Sequence, residues 1–223
     1  MRKSYAVGDA TKASILNAFR KSFYEKGIRG TSYSEICGVL GINKGLIAYH
    51  FSSKYAIAKI IYDHAEADSL ALVRQTMPAL SAAHSSMTNL YLFHLLLREN
   101  RSYLRFCYEI MSMPEYDTDG IKEQIQFMEQ FMQEAPAVPD EKRLETINTI
   151  SNGIEREVIR NLYSGYLTDS VENIFRIDAG FTYSQLGFSQ QDTEEMFQTV
   201  FRTEYRLRMT ENFKIGIAKS DEP

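Results

Sequence analysis

The residues best suited to chemistry lie between Thr31 and Lys54, and what they can do is recognise rather than break bonds. Lys44, His50 and Lys54 carry cationic or N–H donors, while Ser32, Tyr33, Asn43 and Tyr49 carry polar groups on a short frame. Gly45 lets a backbone come close to a partner, and Leu46 offers apolar contact. Such a set suits phosphate oxygens and base edges. Nothing comparable points to catalysis. The four histidines form no His-Glu-x-x-His pattern, and there is no Gly-x-Ser-x-Gly elbow or glycine-rich phosphate cradle. Cys37 and Cys107 stand 70 positions apart, with no Cys-x-x-Cys and no dense His/Cys cluster. No catalytic residue, metal or cofactor is expected.

The elements that position these side chains can be read locally. Ser32 and Glu35 have the spacing of a capping box, in which each side chain satisfies an amide at a helix start. Ile36 and Leu40 follow one turn apart, and Gly41 can end that helix with a positive φ. Ile42 then serves as a buried pivot, and Asn43 caps a second short helix. This helix exposes Lys44, Gly45, Leu46 and Tyr49 and turns Ile47 and Phe51 inward. Two short helices joined by a glycine turn, the second starting polar and basic, read as a helix-turn-helix for the major groove.

Gly41-Ile42-Asn43-Lys44-Gly45, then Tyr49-His50-Phe51, then Lys54, resemble the signature of the tetracycline-repressor (TetR) family of one-component regulators. The similarity spans about Thr11 to Leu72. It implies an all-α protein with an N-terminal three-helix DNA-binding domain (1–54) and a larger helical ligand-binding and dimerisation domain (55–223). It also implies a double-stranded operator, a small-molecule effector not yet known, and a homodimer through the two C-terminal helices. Ser32, Tyr33, Asn43, Lys44, Gly45, Leu46, Tyr49, His50 and Lys54 form the candidate DNA-contacting set. Lys44 and Leu46 face the groove, whereas Ser32, Tyr49, His50 and Lys54 meet phosphate or sugar. One position departs from the family. The tyrosine usual two residues before the histidine is Ala48, and the adjacent Tyr49 points about 100° away on a helix. A second reading is therefore a helical ligand-binding or scaffold protein with weak or no specific DNA binding.

Charge supports the first reading. The chain of 223 residues has a net charge of −4, yet residues 1–54 hold nine basic side chains against three acidic ones. A basic end on an acidic chain can neutralise phosphates. Five prolines and long periodic stretches argue for helices throughout, and no apolar run is long enough for a membrane span or signal peptide. A cytosolic protein with reduced thiols is expected.

Helices are predicted from near Asp9 or Thr11 to Gly27, behind a loose arm carrying Arg2 and Lys3, and from Lys54 to Met77. His64 is placed on the packing face of the latter, which is the natural lever between the two ends. Further helices follow over about Ser86 to Met113, Ile121 to Gln133, Asp140 to Tyr166 and Ser170 to Leu186. The last starts at Ser189 and Asp192 and carries its apolar stripe to Leu207, with a frayed end after Ile217. Since the resemblance implies a pocket, His94, Tyr103, Met111, Phe127, Met128, Phe131 and Tyr163 are its candidate lining, suited to a flat or flexible apolar ligand.

Overall fold

A computed structural model of the chain describes residues 2–116, 132 and 134–221. These residues form nine helices and one antiparallel hairpin. Helix α1 is Arg2–Gly30, α2 Tyr33–Leu40, α3 Lys44–His50, α4 Lys54–Thr76 and α5 Ala82–Glu99. Then come α6 Arg101–Met111, α7 Glu141–Ser164, α8 Val171–Gln185 and α9 Gln190–Phe201, followed by β1 Tyr205–Thr210 and β2 Lys214–Lys219. The helix expected near Ile121 to Gln133 lies almost wholly outside the described residues. No helix among the described residues is long and apolar enough to cross a membrane.

The N-terminal unit is built on the predicted stripe of α1. Ile15, Phe19 and Phe23 are fully buried and join Ile36 of α2, Ile47 of α3 and Ile57 and Ile61 of α4 in one core. Two boundaries differ from expectation. Helix α1 begins at Arg2, so Arg2 and Lys3 are helical rather than a loose arm. A single Gly8 inside a helix costs only about 1 kcal/mol, which the rest of the helix tolerates. The predicted helix over Ser86 to Met113 is two helices meeting at Asn100. Asn100 ends α5, and its side chain accepts from the Tyr103 amide at 2.9 Å to start α6. Asparagine favours such a cap over a helix interior because its amide competes with the backbone for hydrogen bonds.

Gly27 breaks α1 as expected, at φ 79° and ψ 171°. That region is open essentially to glycine alone. The amides freed beyond the break are taken by α6. The Glu109 carboxylate accepts from the amide of Ile28, and from that of Arg29 at 3.2 Å. One helical turn earlier, Arg105 donates to the Tyr24 carbonyl at 2.8 Å. A buried carboxylate and a guanidinium thus hold the end of α1 against α6.

The C-terminus departs furthest from the sequence reading. Ser189 and Asp192 form the expected capping box, but α9 stops at Phe201. Tyr205–Lys219 is a hairpin, with Leu207 paired to Ile217 and Met209 to Ile215. The apolar residues alternate, which fits a strand better than a helix. Strand β1 lies against α5 and β2 against α4. At the turn, Asn212 and Phe213 have φ of 73° and 55°. The left-handed conformation is rare for a bulky residue. Here burial of the Phe213 ring offsets it: the ring centroid lies 4.4 Å from that of Phe106 and 5.3 Å from that of Tyr24.

A Cβ at residue 27 would sit 2.7 Å from Glu109 Oε2 and 2.8 Å from Oε1. Gly27→Ala therefore strains the backbone and pushes the carboxylate off its amides. Urea denaturation is expected to show a loss of about 2–4 kcal/mol; a loss within about 0.5 kcal/mol, typical of a surface site, would contradict this account.

Candidate nucleic-acid interface

The geometry of the helix-turn-helix follows from its caps. Ser32 accepts from the Glu35 amide at 3.2 Å and starts α2. The reciprocal half of the expected capping box does not form, because the Glu35 carboxylate pairs with Lys26. An ammonium outcompetes a neutral amide for that carboxylate. Gly41 ends α2 in the left-handed region at φ 65° and ψ 31°. The Ile42 amide then donates to the Cys37 carbonyl at 3.1 Å, closing the turn. Ile42 itself is half-buried. Asn43 accepts from the Leu46 amide at 2.9 Å and starts α3.

Helix α3 is amphipathic by one turn's offset. Ile47 and, at its end, Phe51 are buried, while Lys44, Gly45, Ala48 and Tyr49 are exposed and Leu46 and His50 half-buried. Lys44 has no hydrogen bond or ion pair among the described residues. Tyr49 is 81% exposed, its ring edge-on to His50 at 5.0 Å. Ser32 and Tyr33 lie at the start of α2, where Tyr33 sits edge-on to Phe19 and is half-buried. Asn43, Lys44, Gly45 and Tyr49 thus project from a helix anchored by two buried groups.

Lys54 is placed differently. Its ammonium donates to the carbonyls of Ile28 at 3.1 Å and Thr31 at 2.6 Å. Thr31 in turn donates to the Gly27 carbonyl at 2.8 Å and shares a hydrogen bond with Ser22, also 2.8 Å. Lys54 therefore ties the start of α4 to the corner between α1 and α2. His64, expected on a packing face, is exposed and bonds to Arg20 at 2.7 Å. Cys37 and Cys107 are both free, the former half-buried and the latter buried.

The candidate ligand residues divide into three groups. Phe127, Met128 and Phe131 lie outside the described residues. His94, Tyr103 and Met111 are buried. His94 bonds to Asp178 at 2.9 Å, and Phe93 stands edge-on to both His94 and Tyr103. Tyr163 is elsewhere, stacked on Tyr108 at 4.4 Å with Arg101 over its ring, in a half-exposed cluster. Sequence reasoning does not single out Tyr62, Glu66, Tyr116 or Glu155. Burial, and then Asp178 and Glu66, push the Glu155 carboxyl well above the usual range. Burial followed by nearby acids does the same to the hydroxyls of Tyr62 and Tyr116. Glu66 follows Tyr62 by one turn, a spacing that can flag the two together. Glu155 beside Ile154 gives no such signal.

Comparison with known proteins points the same way for the N-terminal unit. Residues 15–60 match the family model for bacterial regulatory proteins of the tetR family. The HTH-type transcriptional regulator TtgR and the probable HTH-type transcriptional regulator ArpR, both of Pseudomonas putida, are each 29% identical over 73 residues. Those matches cover 32% of this chain and 35% of theirs, so the chain spans about a third of the length of these relatives. The full-length native TylP structure, a tetR regulator from Streptomyces fradiae, aligns over 91% of this chain and 94% of its own, at 17% identity and a TM-score of 0.49.

The two lysines should separate in a stability measurement. Lys54→Met strands two carbonyls and is expected to lower the unfolding free energy by about 1–3 kcal/mol. Lys44→Ala should stay within about 0.5 kcal/mol of the parent. Equal effects in thermal or urea denaturation would contradict this division.

Proposed function

We infer that this chain, whose helix-turn-helix unit is that of the tetR family of bacterial regulatory proteins, works as a DNA-binding transcriptional regulator rather than an enzyme. Residues 1–54 read DNA, and residues 55–223 bind an effector and hold two copies together. The observation that carries this reading is α3 itself. Asn43 caps it, Ile47 and Phe51 anchor it, and Lys44, Gly45 and Tyr49 stand free on its outer side. The excess of basic groups over residues 1–54 supplies the charge that such a surface needs.

The regulator is a ligand-responsive repressor that binds a near-palindromic operator as a homodimer, in the cytoplasm. A two-fold dimer places two copies of α3 about one helical turn of DNA apart, or a multiple of it. In α9, one of the two C-terminal helices that the resemblance assigns to the dimer, Phe197 and Val200 are buried within the chain, where Phe197 stacks on Phe201 and meets Phe175. Ile177 of α8 is 69% exposed and is the better candidate for the contact between copies. Effector binding shifts DNA affinity through α4, which starts at the Lys54 tether and continues into the helical domain. The second reading, a ligand-binding protein with little DNA affinity, has one observation in its favour: Ala48 leaves an exposed position of α3 without a phosphate-binding group.

Fluorescence anisotropy with DNA from the chain's own promoter separates the two. Specific binding that weakens steeply with salt is expected. Lys44→Ala should cost about 1–3 kcal/mol and relax base preference. Ala48→Tyr should tighten promoter and random DNA alike, since a phosphate contact carries no base information. Absence of binding to promoter DNA at low salt would favour the second reading. Ile177→Glu should halve the mass seen by light scattering if α8 joins the copies.

A further inference from the structure

Apart from its covalent link to α9, the hairpin Tyr205–Lys219 is held in place by side chains. Its strands bond to each other, and no backbone hydrogen bond joins them to a helix among the described residues. The Ser220 hydroxyl closes the open end by donating to the Glu204 carbonyl at 2.8 Å, a bond local to the same segment. What docks the hairpin is an apolar face. Leu207 is buried, and Met209, Ile215 and Ile217 are half-buried against the core. A two-stranded hairpin is marginal in water by itself, so its place depends on that packing. No described helix relies on its backbone for a hydrogen bond, so it can lift away as a unit while the helices stay folded.

The tip carries two opposed features. Phe213 is buried, and its ring meets Phe106 and Tyr103 of α6 at 4.4 and 6.1 Å and Tyr24 of α1 at 5.3 Å. One side chain from the end of the chain thus bridges the N-terminal unit and the helical domain, beside the bond from Arg105 to the Tyr24 carbonyl. Ring contacts of this kind stabilise the docked state beyond the area they bury. Against them stand the left-handed backbone of both Asn212 and Phe213, at φ 73° and 55°, and the Asn212 side-chain carbonyl. That oxygen is buried without a hydrogen-bond partner among the described residues. Both features cost stability while the tip is docked, and both are relieved when it reaches water. Local strain persists only where the surroundings impose it, and it gathers at elements that switch.

We propose that Tyr205–Lys219 is a releasable strap that locks the helix-turn-helix unit to the helical domain, with Phe213 as its latch. Docked, the Phe213 ring fixes the end of α1 against α6, while β2 lies along α4. Released, it leaves the end of α1 held to α6 by Glu109 and Arg105 without the ring contacts, and α1 gains freedom beyond its break at Gly27. The strap rests on the regulator reading only for its consequence, that its release loosens the unit which meets DNA.

Hydrogen–deuterium exchange of the full chain without DNA, followed by mass spectrometry, tests the strap by itself. In the parent chain the amides of 205–219 are expected to exchange together, about tenfold or more faster than the interior amides of α5. Phe213→Ala should speed exchange both there and at residues 24–30, leaving Val171–Gln185 unchanged. Asn212→Gly should do the reverse, slowing both segments several-fold, because glycine takes the left-handed region freely and removes the buried oxygen. If Phe213→Ala does not fold, Phe213→Leu keeps an apolar group without the ring contacts and supplies the comparison. Strap amides as slow as those of α5, a change at 205–219 that does not appear at 24–30, or a uniform rise across all helices would each overturn the proposal. A chain that binds its promoter but has a rigid hairpin keeps the regulator reading and loses only the strap. A chain whose strap behaves as described but binds no promoter DNA keeps the strap and loses the other.

Discussion

The rest of the structure depends on the capture of two freed amides by a carboxylate some 80 residues away along the chain. When Gly27 turns out of the helix, the amides of buried Ile28 and of Arg29 lose their helical acceptors, and Glu109 takes both. Unmade, those bonds would cost a few kcal/mol, which for a marginally stable chain is a large share of the total. Arg105 adds the Tyr24 carbonyl from the same face of α6, and Lys54 and Thr31 close the corner below. The end of α1, the start of α4 and the face of α6 are thereby one rigid joint. The helix-turn-helix stands on that joint, so its orientation is tied to α6 as well as to its own short core.

The hairpin strengthens the same joint from the other side. Phe213 enters beneath Tyr24 of α1 and against Phe106 of α6, with its centroid 6.1 Å from that of Tyr103. Burial, with Cys107, Glu66 and Glu155 nearby, pushes the Tyr103 hydroxyl well above its ordinary range. Close-packed side chains transmit small displacements because no free volume absorbs them. Tyr103, Phe213 and Tyr24 form one chain of ring contacts from α6 through the hairpin to α1.

Much of the helix-turn-helix unit was legible because it is made of local rules. Ser32, Gly41, Asn43 and Gly27 act on the backbone within four residues of themselves, and the structure uses each as a cap or a break. The stripe Ile15, Phe19, Phe23 follows from helical spacing alone. Even here, competition among neighbours was hidden. Glu35 turns to Lys26 instead of closing its box, and Lys54 turns to backbone carbonyls.

Sequence by itself determined where most helices begin and end, which faces are apolar, and that the basic groups gather at one end. These are set by backbone conformation and side-chain spacing over one or two turns. Tertiary structure alone decided which distant groups meet: Glu109 with the amides after Gly27, Asp178 with His94, and Glu155 with Glu66 and the tyrosines. It also decided that Tyr205–Lys219 is a hairpin, although a stripe through Leu207 reads equally as helix. Short apolar patterns satisfy both periods, and the choice falls to whichever conformation buries them. Here the surfaces of α4 and α5 and the gap filled by Phe213 favour strands, and neither surface exists until the chain has folded.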